Sequence, residues 1–287
     1  MIKKTLSCFV VGLLVFNLST VSYAQAKSSE VNTSLVNVEQ LVKQNLTENE
    51  KEKINNDYGY LKKCNINVDL ITDIKVNDGK NVYNIEYPNN INESITVEYK
   101  DGAYILDVIQ GNDKKDHLVI KDGNMYLDGN KIEEQRANIV VSNVDTNKQD
   151  ITMPMADRDM YNTLSAPYGS SADYNSMQRV ESCSNVELHK FLKDMTVSVL
   201  SSILGYYVFV GLVGSVASGV SSGILSAFSG STSSGLSYKN YIYYHKNGYY
   251  ISAIGGNVLK NNVRWYEKIS YGGKSTVIPT YSVYKQY

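Results

Sequence analysis

Forty-four consecutive residues, Met195 to Tyr238, carry no formal charge, and any fold for this chain must either bury them or hand them to a membrane. The most apolar part is Thr196 to Phe228, TVSVLSSILGYYVFVGLVGSVASGVSSGILSAF. As one helix it would measure about 50 Å, against the roughly 30 Å of a bilayer's hydrocarbon core. That length allows a crossing with helix to spare, a bent helix, or two short helices broken near Gly211 and Gly214. Gly211, Ser215, Gly219, Gly223 and Ala227 recur at every fourth position, beside a second row of Gly214, Ser218, Ser222, Ser226 and Gly230. In a helix these rows form one broad face without bulky side chains, the kind of face through which helices associate in lipid. Leucine at Gly219 and Gly223 would spoil that face, whereas leucine at Val216 and Val220, off both rows, should do little.

Three readings of the tract compete. It inserts into a target membrane and self-associates; it anchors the protein in the producer's own membrane; or it is a buried helix of a soluble fold whose glycines allow tight packing on a sheet. The positive-inside rule favours the anchor, because a basic segment follows the tract. That segment is rich in tyrosine and reads as hairpins suited to an outer surface, which favours insertion from outside.

The first residues, MIKKTLSCFVVGLLVFNLSTVSYAQA, have the three parts of a secretory signal peptide. Lys3 and Lys4 supply the positive end, Leu6 to Leu18 the apolar run, and small residues a processing site after Ala24 or Ala26. The pattern predicts export, with the alternative of retention in the producer's membrane. Cys8 would leave with the leader, so Cys64 and Cys183 remain, either as a disulfide in an oxidising compartment or as two free thiols. From Lys239 to Tyr287 seven Lys/Arg stand against Glu267 alone, while residues 25 to 238 carry a net −9. Such asymmetry suits an anionic partner for the basic end, or masking of one end by the other.

The pattern predicts an α+β chain in six parts: leader (1–24), an amphipathic helix region (25–60), an antiparallel β domain (61–150), a linker (151–183), the apolar helical segment (184–237) and a basic Tyr-rich unit (238–287). Leu35, Val38, Leu41, Val42 and Leu46 have helical spacing between Val31 and Asn56. Residues 68 to 144 alternate β-branched and aromatic runs (VDLITDIKV, NVYNIEY, SITVEY, AYILDVI, HLVI, NMYLD, ANIVVSNV) with Asp-Gly at 78–79, 101–102, 122–123 and 128–129. Asp-Gly tolerates the positive φ of tight hairpins, so this rhythm predicts a β-meander. A short helix is expected near Asn185, leading into the apolar helix or helical hairpin. In the last unit Asn247-Gly248 and Gly272-Gly273 each fall between strand-like runs, predicting two hairpins.

Enzyme chemistry has no visible carrier. His117, His189 and His245 are far apart and lack metal-type spacing with the cysteines. No phosphate loop, His-Glu-x-x-His or Gly-x-Ser-x-Gly is present. We expect no catalytic residues, no cofactor, no metal and no nucleic-acid partner.

Taken together, the leader, the polar middle, the charge-free Gly/Ser/Val tract and the final YKNYIYYHKNGYYIS…YSVYKQY block resemble large secreted bacteriocin-like proteins of Gram-positive bacteria, of the geobacillin type. The resemblance lies in the order of segments and rests on residues 195 to 287. It implies an antibacterial protein acting on related Gram-positive cells through the envelope, and it brings no catalytic residues. The residues themselves point the same way. Lys239, Lys246, Lys260, Arg264, Lys268 and Lys274, interleaved with tyrosines and Trp265, suit an anionic envelope: cations meet phosphates and carboxylates while amphipathic rings settle at the interface. The expected partner is thus a bacterial membrane or anionic envelope, with a homo-oligomer through the small-residue face. The alternative is a surface-anchored, non-enzymatic interaction protein of the producer.

Overall fold

The Asp-Gly pairs do what their chemistry allows. In the computed structural model, which describes residues 46–77, 80–133, 160–163, 171–175, 179–208, 214–246, 250–251 and 256–284, Asp101 and Gly102 have φ of 52° and 78°. They form a two-residue turn between strands β3 (Ile91–Lys100) and β4 (Ala103–Gln110). Asp122-Gly123 (49°, 75°) and Asp128-Gly129 (49°, 82°) join β5 (Lys114–Lys121), β6 (Asn124–Leu127) and β7 (Asn130–Ile132) in the same way. Two positive φ values in a row give a twist that matches right-handed strands. With β1 (Ile71–Lys75) and β2 (Val82–Tyr87) the result is a seven-stranded antiparallel meander in which every strand pairs with the next. Alternation then buries one face: Tyr83, Ile95, Leu106, Leu118 and Met125 are all fully enclosed. Asp78-Gly79 and the ANIVVSNV run lie outside the described residues.

A capped helix covers this face. Helix α1 runs Glu48–Lys63 because Thr47 and Glu50 close a capping box, the Thr47 amide donating to the Glu50 carboxylate at 2.7 Å. It buries Ile54, Asp57 and Leu61. Leu46 precedes it, and Leu35, Val38, Leu41 and Val42 lie outside the described residues. Asp57 is buried with its partners: the Tyr83 hydroxyl donates to it at 2.6 Å, and Asn81 Nδ2 and Lys53 Nζ at 3.0 Å.

A second sheet uses residues that the sequence assigns to a linker. β8 (Met160–Thr163) and β9 (Arg179–Glu187) are its edges, flanking β13 (Ser275–Tyr284), β12 (Gly256–Tyr266) and β10 (Gly235–Tyr244) in the order β8-β13-β12-β10-β9. The helix expected near Asn185 is instead the end of β9 followed by a 3₁₀ turn at Leu192–Asp194. β12 and β13 form a hairpin, with Tyr266 opposite Ser275. β10 pairs with β12 across the intervening residues, while the short β11 (Tyr250–Ile251) joins the far end of β12. The Asn247-Gly248 turn lies outside the described residues.

The described helical parts of the charge-free tract pack between the sheets, while its last residues open strand β10. Helix α2 is Val197–Ile203, continued by a π turn at Leu204–Val208, and helix α3 is Gly214–Ala227. Every residue of α2 is buried. Helix α3 contacts α2, β2, β8 and β13. At 14 residues it spans about 21 Å, short of the roughly 30 Å bilayer core. Among the described residues no helix is long and apolar enough to cross a membrane. Val216 and Val220, which lie off the small-residue rows, are themselves buried, so leucine there also meets packed neighbours, contrary to the sequence expectation.

Candidate functional site

The start of the apolar tract is held by acids from the meander. Strand alternation points Glu93 of β3 inward, in phase with Ile95 and Val97, and Asp116 of β5 inward with Leu118 and Ile120. Both carboxylates are enclosed, at 2% and 3% exposure. Asp116 accepts from the Thr196 amide at 2.8 Å and the Thr196 hydroxyl at 2.7 Å. Glu93 accepts from the Val197 amide, from the Ser198 amide at 3.1 Å and from the Ser198 hydroxyl. These are orphan amides of a helix start, normally satisfied by a local cap; here residues about a hundred positions away in sequence serve them. α2 has no side-chain cap of its own at Thr196.

Charges surround the pair. Lys190 Nζ bonds Asp116 and reaches Asp128 at 2.9 Å. Lys114 Nζ donates to the Met195 carbonyl at 3.1 Å, and the Tyr87 hydroxyl lies 2.7 Å from Ser198 Oγ. Burial pushes the Glu93 carboxyl up to about 7, against the bonds from Ser198 and Val197 that favour its ionised form, with the Asp116 charge adding to the rise. Burial also raises the Tyr87 phenol. A carboxyl whose titration falls near neutrality thus sits against the first turn of the charge-free segment.

Downstream, serine hydroxyls let polar side chains enter the core. Ser201 donates to the Val197 carbonyl at 2.7 Å, Ser202 to the carbonyls of Ser198 and Cys64, and Ser222 to Pro88 at 3.3 Å. Of the row singled out in the sequence, Gly211 lies outside the described residues and Ser215 is the second residue of α3. Gly219 and Gly223 are half-buried and Ala227 is exposed. A Cβ on Gly223 would stand 2.9 Å from Ile278 Cδ1, so in this conformation that glycine admits a strand of the second sheet.

The proposed envelope residues divide. Trp265 is fully buried, its ring 5.1 Å from that of Tyr238, so it cannot meet an envelope in this conformation; β12 alternation turns it inward with Val263. Arg264 is exposed, Lys239 lies 4.5 Å over the Tyr271 ring and Lys260 5.8 Å over Tyr174. Lys246 donates to the Ala172 carbonyl, and Lys268 and Lys274 are exposed in the β12–β13 connection. The disulfide is not formed: Cys64 and Cys183 are both free and buried. They belong to different surroundings, Cys64 closing α1 beside Ser202 and Cys183 opposite Tyr238 on β9, with its Sγ 3.3 Å from the Asn185 carbonyl. Burial pushes the Cys64 thiol up to about 12 and raises that of Cys183.

The two clamp acids carry a signal that the sequence reading missed, namely an acid in phase with inward-facing apolar residues of a strand. Among the described residues no cluster of His, Cys, Asp and Glu is arranged to hold a metal. No protein family, curated protein or solved structure matches the chain.

Proposed function

We propose that this is a secreted, membrane-active, bacteriocin-like antibacterial protein, and that the described conformation is its sequestered form. The observation that carries the reading is the clamp: a charge-free tract enclosed between two sheets, its first turn pinned by Glu93 and Asp116 of another part of the chain. Such an arrangement keeps an apolar segment out of water while tying down its first turn through two carboxylates. Neither α2 nor α3 is long enough to cross a bilayer alone. Insertion therefore requires the stretch from Thr196 to Phe228 to leave the sheets and join into one longer helix. In that form Gly211, Ser215, Gly219, Gly223 and Ala227 make the face through which copies associate, and the Tyr-rich basic strands engage the target envelope.

Purified protein, whole or trimmed within residues 152–182, should release dye from anionic liposomes and kill a sensitive Gram-positive strain. Neither leakage nor killing from any of these preparations removes the proposal. The alternative, a non-enzymatic interaction protein anchored in the producer's membrane, predicts a carbonate-resistant membrane fraction where the toxin predicts culture supernatant.

A further inference from the structure

The outer face of the second sheet is a cation-bearing surface. Inward positions of its central strands are buried (Asn240, Ile242, Asn261, Val263, Thr280), so Lys239, Tyr241 and Tyr243 of β10, Lys260 and Arg264 of β12 and Tyr281 of β13 point the other way. Register sets their neighbours. Lys239 lies directly opposite Arg264, and Lys260 opposite both Tyr243 and Tyr281. No Asp or Glu occurs in residues 239–243, 260–264 or 277–281, and the nearest acid in the packed 171–175 segment is Asp173, next to the Tyr174 that lies on Lys260.

Directly opposed like charges on neighbouring strands are unfavourable. The Lys239–Arg264 pair is therefore a cost to the fold that an anion lying across both strands would remove. A third cation, Lys260, lies four residues from Arg264 on β12, about 13 Å along the strand on the same face. Half-buried Tyr241 lies between these charges and Tyr243 beside Lys260, while the buried Tyr174 packs over Lys260 and against Tyr281 at that end of the face. The exposed apolar residues on it, Val277 and Pro279, are short and carry no side chain that would enter acyl chains.

From this geometry we infer that the face binds a linear phosphodiester polymer of the cell envelope, the cations taking its phosphates and the tyrosine rings its polyol or sugar units. The inference rests on the reading of the chain as envelope-directed and names what the basic strands recognise.

Binding of the full-length secreted protein to purified poly(glycerol phosphate), and separately to phosphatidylglycerol vesicles, tests it. Polymer should bind, vesicles of equal phosphate content should bind far less, and affinity should fall as salt rises. A cation against an anionic surface contributes roughly fivefold in affinity, so the variant K239S/K260S/R264S should bind polymer roughly a hundredfold more weakly. Lys75, Lys100 and Lys121, exposed on the meander, provide a control of equal charge change whose replacement by serine should leave binding intact. Emission of Trp265 checks that each variant is folded. Polymer binding unchanged in the face variant, equal loss in the control variant, or a preference for vesicles overturns the inference. Leakage and killing are measured independently, so absence of polymer binding in a protein that still kills refutes the face and spares the function.

Discussion

Glu93 makes the stability of the fold depend on pH in an unusual direction. A carboxylate held by amides and a hydroxyl is ordinarily expected to be more acidic when folded, so that acid weakens the protein. Here burial outweighs the bonds and the folded value, about 7, stands above the ordinary 4.5. The folded chain therefore holds a proton that the unfolded chain releases between those two values. This contribution to stability is fully present below about pH 4.5 and is lost as pH rises through about 7. The displacement corresponds to roughly 3 kcal/mol.

Urea unfolding of wild type and Glu93→Gln, followed by the emission of Trp265, reads this directly, since Trp265 is the sole tryptophan and is fully buried. Glutamine keeps the side-chain shape and cannot ionise, and groups that do not interact with Glu93 titrate alike in both proteins. The stability of the variant relative to wild type should therefore rise by roughly 3 kcal/mol between about pH 5 and about pH 8. A difference that stays constant, or moves toward the wild type, would falsify the reasoning: the three donors from Val197 and Ser198 would then hold the carboxylate ionised despite burial. In the proposed function the same sign means that the Glu93 contribution to the clamp is greatest in acid and falls toward neutral pH.

Gly223→Leu drives a side chain into Ile278 and should destabilise the fold by about 1–3 kcal/mol in thermal or denaturant unfolding. Val220→Leu, also in a buried position, should cost a comparable amount, and a neutral Gly223→Leu would show that the contact with β13 is not made. Thiol titration of the processed protein should find both Cys64 and Cys183 in denaturant and only slow reaction in the native state, because both are buried and their thiols are raised. No thiol in denaturant would mean that the two are paired after all.

What the sequence determined by itself is local. Asp101-Gly102, Asp122-Gly123 and Asp128-Gly129 turn the chain because those residue types accept positive φ, and the two-residue alternation between them chooses the buried face. Thr47 and Glu50 set the start of α1 within a single turn. The lack of charge from Met195 to Tyr238 already meant that water was not its place. Only the tertiary structure decided where it goes, because a charge-free helix satisfies its backbone equally well beside a sheet, beside another helix or in lipid. The same holds for pairing: a strand carries no record of its partner, so β8 reads as linker and β9 as linker running into a helix until β13 and β10 complete them, and β10 passes over its sequence neighbour to join β12. Trp265 looked like an interfacial ring and is core because of which face of β12 packs inward. Glu93 and Asp116 read as ordinary polar positions in a strand. Their role exists only because the fold brings the unsatisfied amides of Thr196, Val197 and Ser198 against them, a hydrogen-bonding need that arises when a helix start is buried without a cap of its own.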